Sequence, residues 1–423
     1  MQSVVPLFAL AVGLAAQAGD HVIVAVHGNP VATSLFDVDL ASGSVQAIGR
    51  FGLDGFPPLA ITVDQVNRDV VVALQTPAST SVLVRLRLAG ATVVQSASLG
   101  DVPGTASALT QALDGRFVTT TDAGVYTTER NGSVARRVAT LAQVSAIETF
   151  GLATTQAVVA QSGSTTTDPQ VRWIDLVSGR TIAGPWVYAG YTPRGITGVA
   201  DLPTGAARQV LSHDDGTIAI SVNFALPVPL PLVPVLPPGA TAAMHVRGLE
   251  GIVLGGSAHP FLKSFQALGG TQWTMLAGPL PGDPVDFAFR PTSVAATVSF
   301  GGSCNRMLLA QATAGGDPRL GNSSYGLQLT FAAPSSLAVL ALGASDQRFV
   351  GVRLPLALPG GCLALAGGDL VVPTTTSGLG DATITLGIPS SAALVGAIAY
   401  AQWLQPAAGG LDSSNAGAIW IDM

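Results

Sequence analysis

A five-residue phrase, Asp-Leu-x-Ser-Gly, is written twice in this chain, at Asp39 to Gly43 and again at Asp175 to Gly179. Its closing glycine keeps a rhythm, recurring at Gly43, Gly90, Gly132, Gly179 and Gly269. The gaps run about 47, 42, 47 and 90 residues, the last close to two periods. A repeat of that length holds one four-stranded antiparallel sheet, which cannot bury both of its faces alone and must stack against copies of itself. Each period can be divided into four short strands. The second gives "LAITVD", "DVVVAL", "VLVRLRLAG" and "TVVQSASLG"; the fourth gives "VSAIET", "QAVVAQ", "VRWIDLVSG" and "TIAGPWVYAG". The repeated phrase then marks the hairpin between the third and fourth strands, where glycine supplies the positive φ of a tight turn. The fifth period lacks the phrase and carries "FALPVPLPLVPVLPPG" (224–239) instead. Proline cannot donate to a ladder, so this stretch belongs at the outer edge of its sheet or beyond it.

The first period is incomplete. It has "HVIVAV", "SLFDVDL" and "VQAIG" but no preceding inner strand, while "DPVDFAFRP" (283–291) stands at the far end without a sheet of its own. Pairing the two would close a ring. The expected architecture is all-β: a six-bladed β-propeller over 19–292, with seven blades as the alternative. This part resembles propellers in general, by period alone, and no WD signature is present.

Only 10% of the residues are charged, against roughly 25% in an ordinary domain. There is one lysine, Lys263, and the arginines are scattered apart from Arg136–Arg137. With a net charge of −6, a nucleic-acid surface is excluded, because that needs basic residues gathered on one face. The chain begins "MQSVVPLFALAVGLAAQAGD". An apolar run ending in Ala16-Gln17-Ala18 reads as a signal peptide over 1–18, with a mature start near Gly19 and a secreted or cell-surface address. No later stretch offers the ~18–20 apolar residues of a spanning helix.

From about Thr297 the period vanishes, and alternating runs broken by Gly, Pro, Asn and Ser suggest about eight strands of a small β-sandwich over 293–423. The only two cysteines, Cys304 and Cys362, lie here. In an exported chain such a pair reads first as a disulfide, and a metal site would need further ligands close by. The module carries Gly-x-x-Cys (301–304), Pro-x-Leu-Gly-Asn (318–322), Leu-Pro-Leu (354–356), Gly-Cys-x-Leu (361–364), Ile-Pro-x-x-x-x-Leu-x-Gly (388–396), Ala-Gln-Trp (401–403) and Ser-Asn-Ala (414–416). In these it resembles the C-terminal β-domain that recurs in secreted and surface proteins of planctomycete-type bacteria. The resemblance implies secretion, one cystine and a module joined to many unrelated partners; it implies no activity.

Common catalytic and cofactor signatures are missing. "SHDDG" (212–216) could hold a cation but also fits a turn between two strands. One constellation depends on the repeat: Asp64, Gln111, Glu148, Asp201, His245 and Asp286 fall roughly one period apart near the ends of the inner strands. A ring of these around a channel would suit a divalent cation such as calcium, or a polar ligand. Alternatively each simply bonds the turn it begins. Two functions stay open. The first is a non-catalytic exported scaffold or binding protein, with a protein or glycan partner and no cofactor. The second is a propeller hydrolase or lyase with a channel metal, in which His245 and Glu148 carry protons.

Overall fold

The computed structural model describes residues 21–27, 35–40, 42–48, 56–112, 114–149, 156–162, 168–187, 193–201, 206–213, 218–222, 226–231, 244–247, 250–254, 262–266, 273–277, 280, 283–290 and 295–422; side chains between 186 and 279 are not described. The chain divides into two compact units. The first is Met1–Asp64, Arg68–Ala112 and Arg116–Pro291; the second is Gln65–Asn67, Leu113–Gly115 and Thr292–Met423.

Unit one is a six-bladed β-propeller of four-stranded antiparallel sheets. Blade 1 runs from its inner strand outward as Asp283–Arg290, His21–His27, Leu35–Asp39 and Val45–Ala47. Blade 2 is Pro58–Val63, Val70–Gln75, Ser81–Ala89 and Thr92–Val102, and blade 3 is Ala106–Gln111, Phe117–Thr121, Gly124–Thr128 and Arg136–Ala139. Blade 4 is Val144–Glu148, Gln156–Gln161, Gln170–Asp175 and Thr181–Val187. Blade 5 is Pro193–Asp201, Ala206–His213, Ile218–Val222 and Leu226–Pro231, and blade 6 is Met244–Arg247, Glu250–Leu254, Leu262–Gln266 and Trp273–Ala277. The ring closes where the sequence suggested. Asp283–Arg290 pairs antiparallel with His21–His27, setting Phe287 against Val24 and Ala288 against Ile23. Glu250–Leu254 of blade 6 lies against that closing strand.

The second strands of blades 1 and 2 are almost wholly apolar because both faces are covered. Along a strand, successive side chains point to opposite sides. Ile23 and Ala25 therefore join Ile61, Val70, Val72 and Leu74 in the core between blades 1 and 2. Val22, Val24 and Val26 pack on the other side with Phe36, Val38 and Phe287. Val71 and Ala73 continue the pattern toward Phe117 and Tyr126 of blade 3.

The repeated phrase is the outer hairpin in both places. Gly43 N–H donates to Asp39 O at 2.8 Å and Gly179 N–H to Asp175 O at 2.8 Å, with φ of 71° and 70°. The Asp39 and Asp175 carboxylates accept from Ser42 and Ser178 N–H respectively. Gly90 and Gly132 take positive φ in the equivalent hairpins; Gly269 lies outside the described residues. The start of the proline-rich stretch is the outer strand of blade 5, with Leu230 opposite Ile220.

Five inner strands share a feature that counting periods does not reveal. Each carries one extra residue near its start, a β-bulge at Val285, Leu59, Ser107, Ser145 and Arg194 of blades 1 to 5. In blades 3 and 4 the extra residue is serine. Its hydroxyl donates back to the second strand, Ser107 to Thr120 O and Ser145 to Ala160 O, each at 3.3 Å.

Unit two packs a five-stranded sheet (Ala296–Phe300, Gly410–Trp420, Ile398–Ala407, Leu337–Gly343, Leu370–Thr375) against a three-stranded one (Leu308–Gln311, Gly326–Thr330, Ala382–Thr385). Leu327, Leu329, Leu340, Ala401, Trp403 and Ile419 form the core between them. Cys304 and Cys362 form the disulfide, with Cα atoms 5.7 Å apart. The sequence motifs of the module are wired together. Gln402 Nε2 donates to Leu363 O and Ser414 O, while its Oε1 accepts from Leu365 N–H. Asn415 exchanges bonds with the Leu309 backbone as another strand would. Asn322 ties Gly315 O and Asp317 O within its own loop.

Candidate functional site

Counted from the bulge, the five candidate residues on bulged strands do not share a level. Asp286 sits at the first paired residue after its bulge, where blades 2, 3, 4 and 5 have Ala60, Ala108, Ala146 and Gly195. Glu148 comes two residues later, Gln111 three, Asp64 four and Asp201 six. His245 is the second residue of a strand whose described ladder has no such bulge. Because strand side chains alternate, neighbouring steps face opposite ways. The side chains of Asp201 and His245 lie outside the described residues, and so do Asp214, Asp215 and Gly216 of the "SHDDG" stretch. Ser212 and His213 end the second strand of blade 5, and Ile218 begins the third.

Asp64 and Gln111 do meet. Gln111 Nε2 donates to Asp64 Oδ1 at 3.1 Å. The larger partners are arginines that sequence reasoning passed over. Arg130 Nε lies 2.9 Å from both Asp64 oxygens, and Arg85 Nη2 lies 3.1 Å from Oδ2. Arg85 also donates to Arg130 O and stacks 5.9 Å from the Phe117 ring centroid. Arg87 Nε reaches Asp69 Oδ1 at 3.3 Å. Asp64 is fully buried and Arg130 nearly so. The knot joins the inner hairpin and third strand of blade 2 to blade 3. Burial alone would raise the Asp64 pKa, but the Arg130 and Arg85 guanidiniums, with the Arg130 and Gln111 hydrogen bonds, hold it below the ordinary carboxylate value. A carboxylate so paired is a poor ligand for an incoming cation, because binding would have to displace two buried arginines. A signal for the arginines existed. Arg85 and Arg87 alternate with leucines in "VRLRL", the pattern of one polar face on an otherwise buried strand.

The remaining described candidates bond backbone. An inner strand is a sheet edge, so every second N–H and C=O on it lacks a ladder partner. Asp286 Oδ2 accepts from Ile61 N–H of blade 2 at 2.9 Å, and its Oδ1 accepts from Phe287 N–H at 2.8 Å. Desolvation pushes the Asp286 carboxyl up to about 7, against the pull of those two N–H groups. Glu148 Oε1 accepts from Thr149 N–H at 2.7 Å, and Thr149 Oγ1 donates to Gln111 O of blade 3 at 2.7 Å. Arg290 of blade 1 donates to Leu88 O and Gly90 O of blade 2. His21 Nδ1 pairs with Asp37 Oδ1 at 2.6 Å inside blade 1. Among the described residues, no group of three or more His, Cys, Asp or Glu side chains is placed to hold a metal, and no helix is long and apolar enough to cross a membrane.

No family model matches the chain, and no curated protein does. Among solved structures it is similar to a chain of the nidogen/laminin complex, at 10% identity and TM-score 0.47 over 64% of this chain and 98% of that one. It is similar to the Kuenenia stuttgartiensis hydrazine synthase at 13% identity and TM-score 0.40, over 62% of this chain and 80% of that one. A candidate 6-phosphogluconolactonase from Bacteroides uniformis aligns at 9% identity and TM-score 0.43, over 87% of this chain and 100% of that one. At such identities no activity carries across; the β-propeller class is defined here by the six sheets and their closure.

Proposed function

We propose that the chain is an exported, non-catalytic binding or scaffold protein, in which the propeller presents its loops or channel to a protein or glycan partner and the disulfide-bonded sandwich is an accessory module. One observation carries this reading: the two inner-strand acids Asp64 and Asp286 are spent on joining blades. Asp64 is neutralised by Arg130 and Arg85 across the seam of blades 2 and 3, and Asp286 is tied to the Ile61 backbone across the seam of blades 1 and 2. Groups held this way stiffen a ring and are badly placed to change ligands. Export is supported by the Cys304–Cys362 cystine, which persists in oxidising compartments, together with the leader-like segment 1–18, which lies outside the described residues.

Thermal unfolding of the chain lacking 1–18, in EDTA and then with millimolar Ca²⁺, Mn²⁺ or Zn²⁺, tests the reading. A metal at 100 times its dissociation constant adds about 2.7 kcal/mol and raises Tm by a few degrees. The expected result is no shift. A rise abolished by Asp201→Ala together with Asp286→Ala would instead make the ring a metal site and favour the alternative, a propeller hydrolase or lyase with His245 and Glu148 as proton carriers, which hydrolase and lyase assays would then test.

A further inference from the structure

Asp286 joins two inner strands through their backbones. Its Oδ1 accepts from Phe287 N–H of its own strand at 2.8 Å, and its Oδ2 accepts from Ile61 N–H of the next blade at 2.9 Å. Both donors stand one residue beyond the first paired position after a bulge. One carboxylate therefore bridges two equivalent edge N–H groups across the seam of blades 1 and 2.

The seam of blades 3 and 4 repeats the donors without the carboxylate. Leu109 and Ile147 hold the same step beyond the bulges at Ser107 and Ser145. Residues of an antiparallel pair alternate between exchanging both backbone bonds with the partner strand and turning both away from it. Ala112 N–H bonds Arg116 O at 2.8 Å, so Thr110 and Ala108 also face the second strand of blade 3, and Leu109 turns away. Thr149 N–H is taken by Glu148 Oε1 instead of the ladder, which by the same alternation turns Ile147 away in blade 4. Among the described residues, no side chain accepts from either N–H. Ala108 stands where blade 1 has Asp286, and a methyl group cannot accept a hydrogen bond. The position reaches solvent: Ala108 is half-buried beside exposed Ser107, whereas its counterpart Ala60, at the seam of blades 2 and 3, is fully buried.

Leu109 and Ile147 are themselves buried, and an N–H in such surroundings is costly to leave without an acceptor. A carboxylate is the acceptor that the first seam shows to fit, and its two oxygens serve two donors at once with charge-assisted bonds. We propose that Leu109 N–H and Ile147 N–H form a binding site for the carboxylate group of a small ligand. Neither export nor the absence of catalysis enters this argument.

Thermal unfolding of the chain lacking 1–18 in sodium formate, against sodium chloride at equal ionic strength, tests the site. Formate should raise Tm in a saturable way. Ala108→Asp, which supplies from the chain the carboxylate that blade 1 already has, should abolish that response. Ala108→Val fills the seam without offering an acceptor and should abolish it too, which decides the matter if the aspartate variant does not fold. Ala357→Asp, at an exposed position of the sandwich unit, should leave the response intact. No saturable rise in the unaltered chain, a rise that both Ala108 variants keep, or a rise lost equally in Ala357→Asp would each overturn the proposal.

Discussion

Alanine at Asp64 is expected to cost the propeller about 3–5 kcal/mol, because it leaves two buried guanidiniums without their carboxylate. Arg130 is 8% exposed and Asp64 0%, so water cannot take over the pairing. Gln111 would lose its acceptor in the same step. The reading is urea unfolding, with ΔΔG taken from the midpoint at constant m. A loss under 1 kcal/mol would mean the knot is ornamental. The same pairing sets an acid limit. The folded-state pKa of Asp64 is depressed, so its contribution is fully present above the ordinary carboxylate pKa of 3.8 and is lost as pH falls through the lowered folded value. Asp64→Ala should therefore flatten the acid limb of a stability-against-pH curve. Surface pairs such as Arg319–Asp317, both exposed, should do nothing comparable.

Serine at both Cys304 and Cys362 is expected to destabilise the sandwich unit by about 4 kcal/mol, the chain-entropy value for releasing a loop of this length. The residues are separated by 58 positions. The bond clamps the segment that carries two short two-stranded ribbons, Arg348–Phe349 with Val352–Arg353 and Leu356–Ala357 with Leu363–Ala364, to the strand Gly410–Trp420, where Cys304 N–H already bonds Ser413 O at 2.7 Å. Unfolding of the unaltered protein with and without reductant should reproduce most of the difference. If reduction and the double serine variant both leave the midpoint in place, Gln402 and its three backbone bonds hold that segment without the cystine.

The period was enough to read the ring, because Gly43 and Gly179 encode a conformation few other residues adopt, and each returns in the same hairpin. Closure was legible for a related reason: Asp283–Arg290 was a strand without a sheet, and His21–His27 headed a sheet without an inner strand. The proposed ring of six polar residues was not legible in the same way. Spacing counts residues, whereas side-chain direction depends on register, and the bulges at Leu59, Ser107, Ser145 and Val285 leave no mark in composition. Asp64 and Gln111, expected in one ring around a channel, do meet, but the dominant partners of Asp64, Arg85 and Arg130, come from third-strand and hairpin positions. In the C-terminal module the motifs could be recognised before they could be explained. Gln402 and Asn415 are fixed there because each replaces a missing backbone partner for a neighbouring segment.

The claim on which the rest depends is that the two ends of the propeller's sequence share one sheet and so close the ring. Ile23 and Ala288 face each other across that seam, where directly opposed residues have Cα atoms about 4.5–5.5 Å apart, inside the range a disulfide can bridge. Introducing Ile23→Cys with Ala288→Cys, and oxidising the folded protein with its native cystine intact, should give an intramolecular cross-link in nearly every molecule. That product should show as faster migration on a non-reducing gel and no titratable thiol. Two free thiols, or dimers joined through them, would mean that the Asp283–Arg290 strand does not complete blade 1, and the six-bladed ring would be wrong.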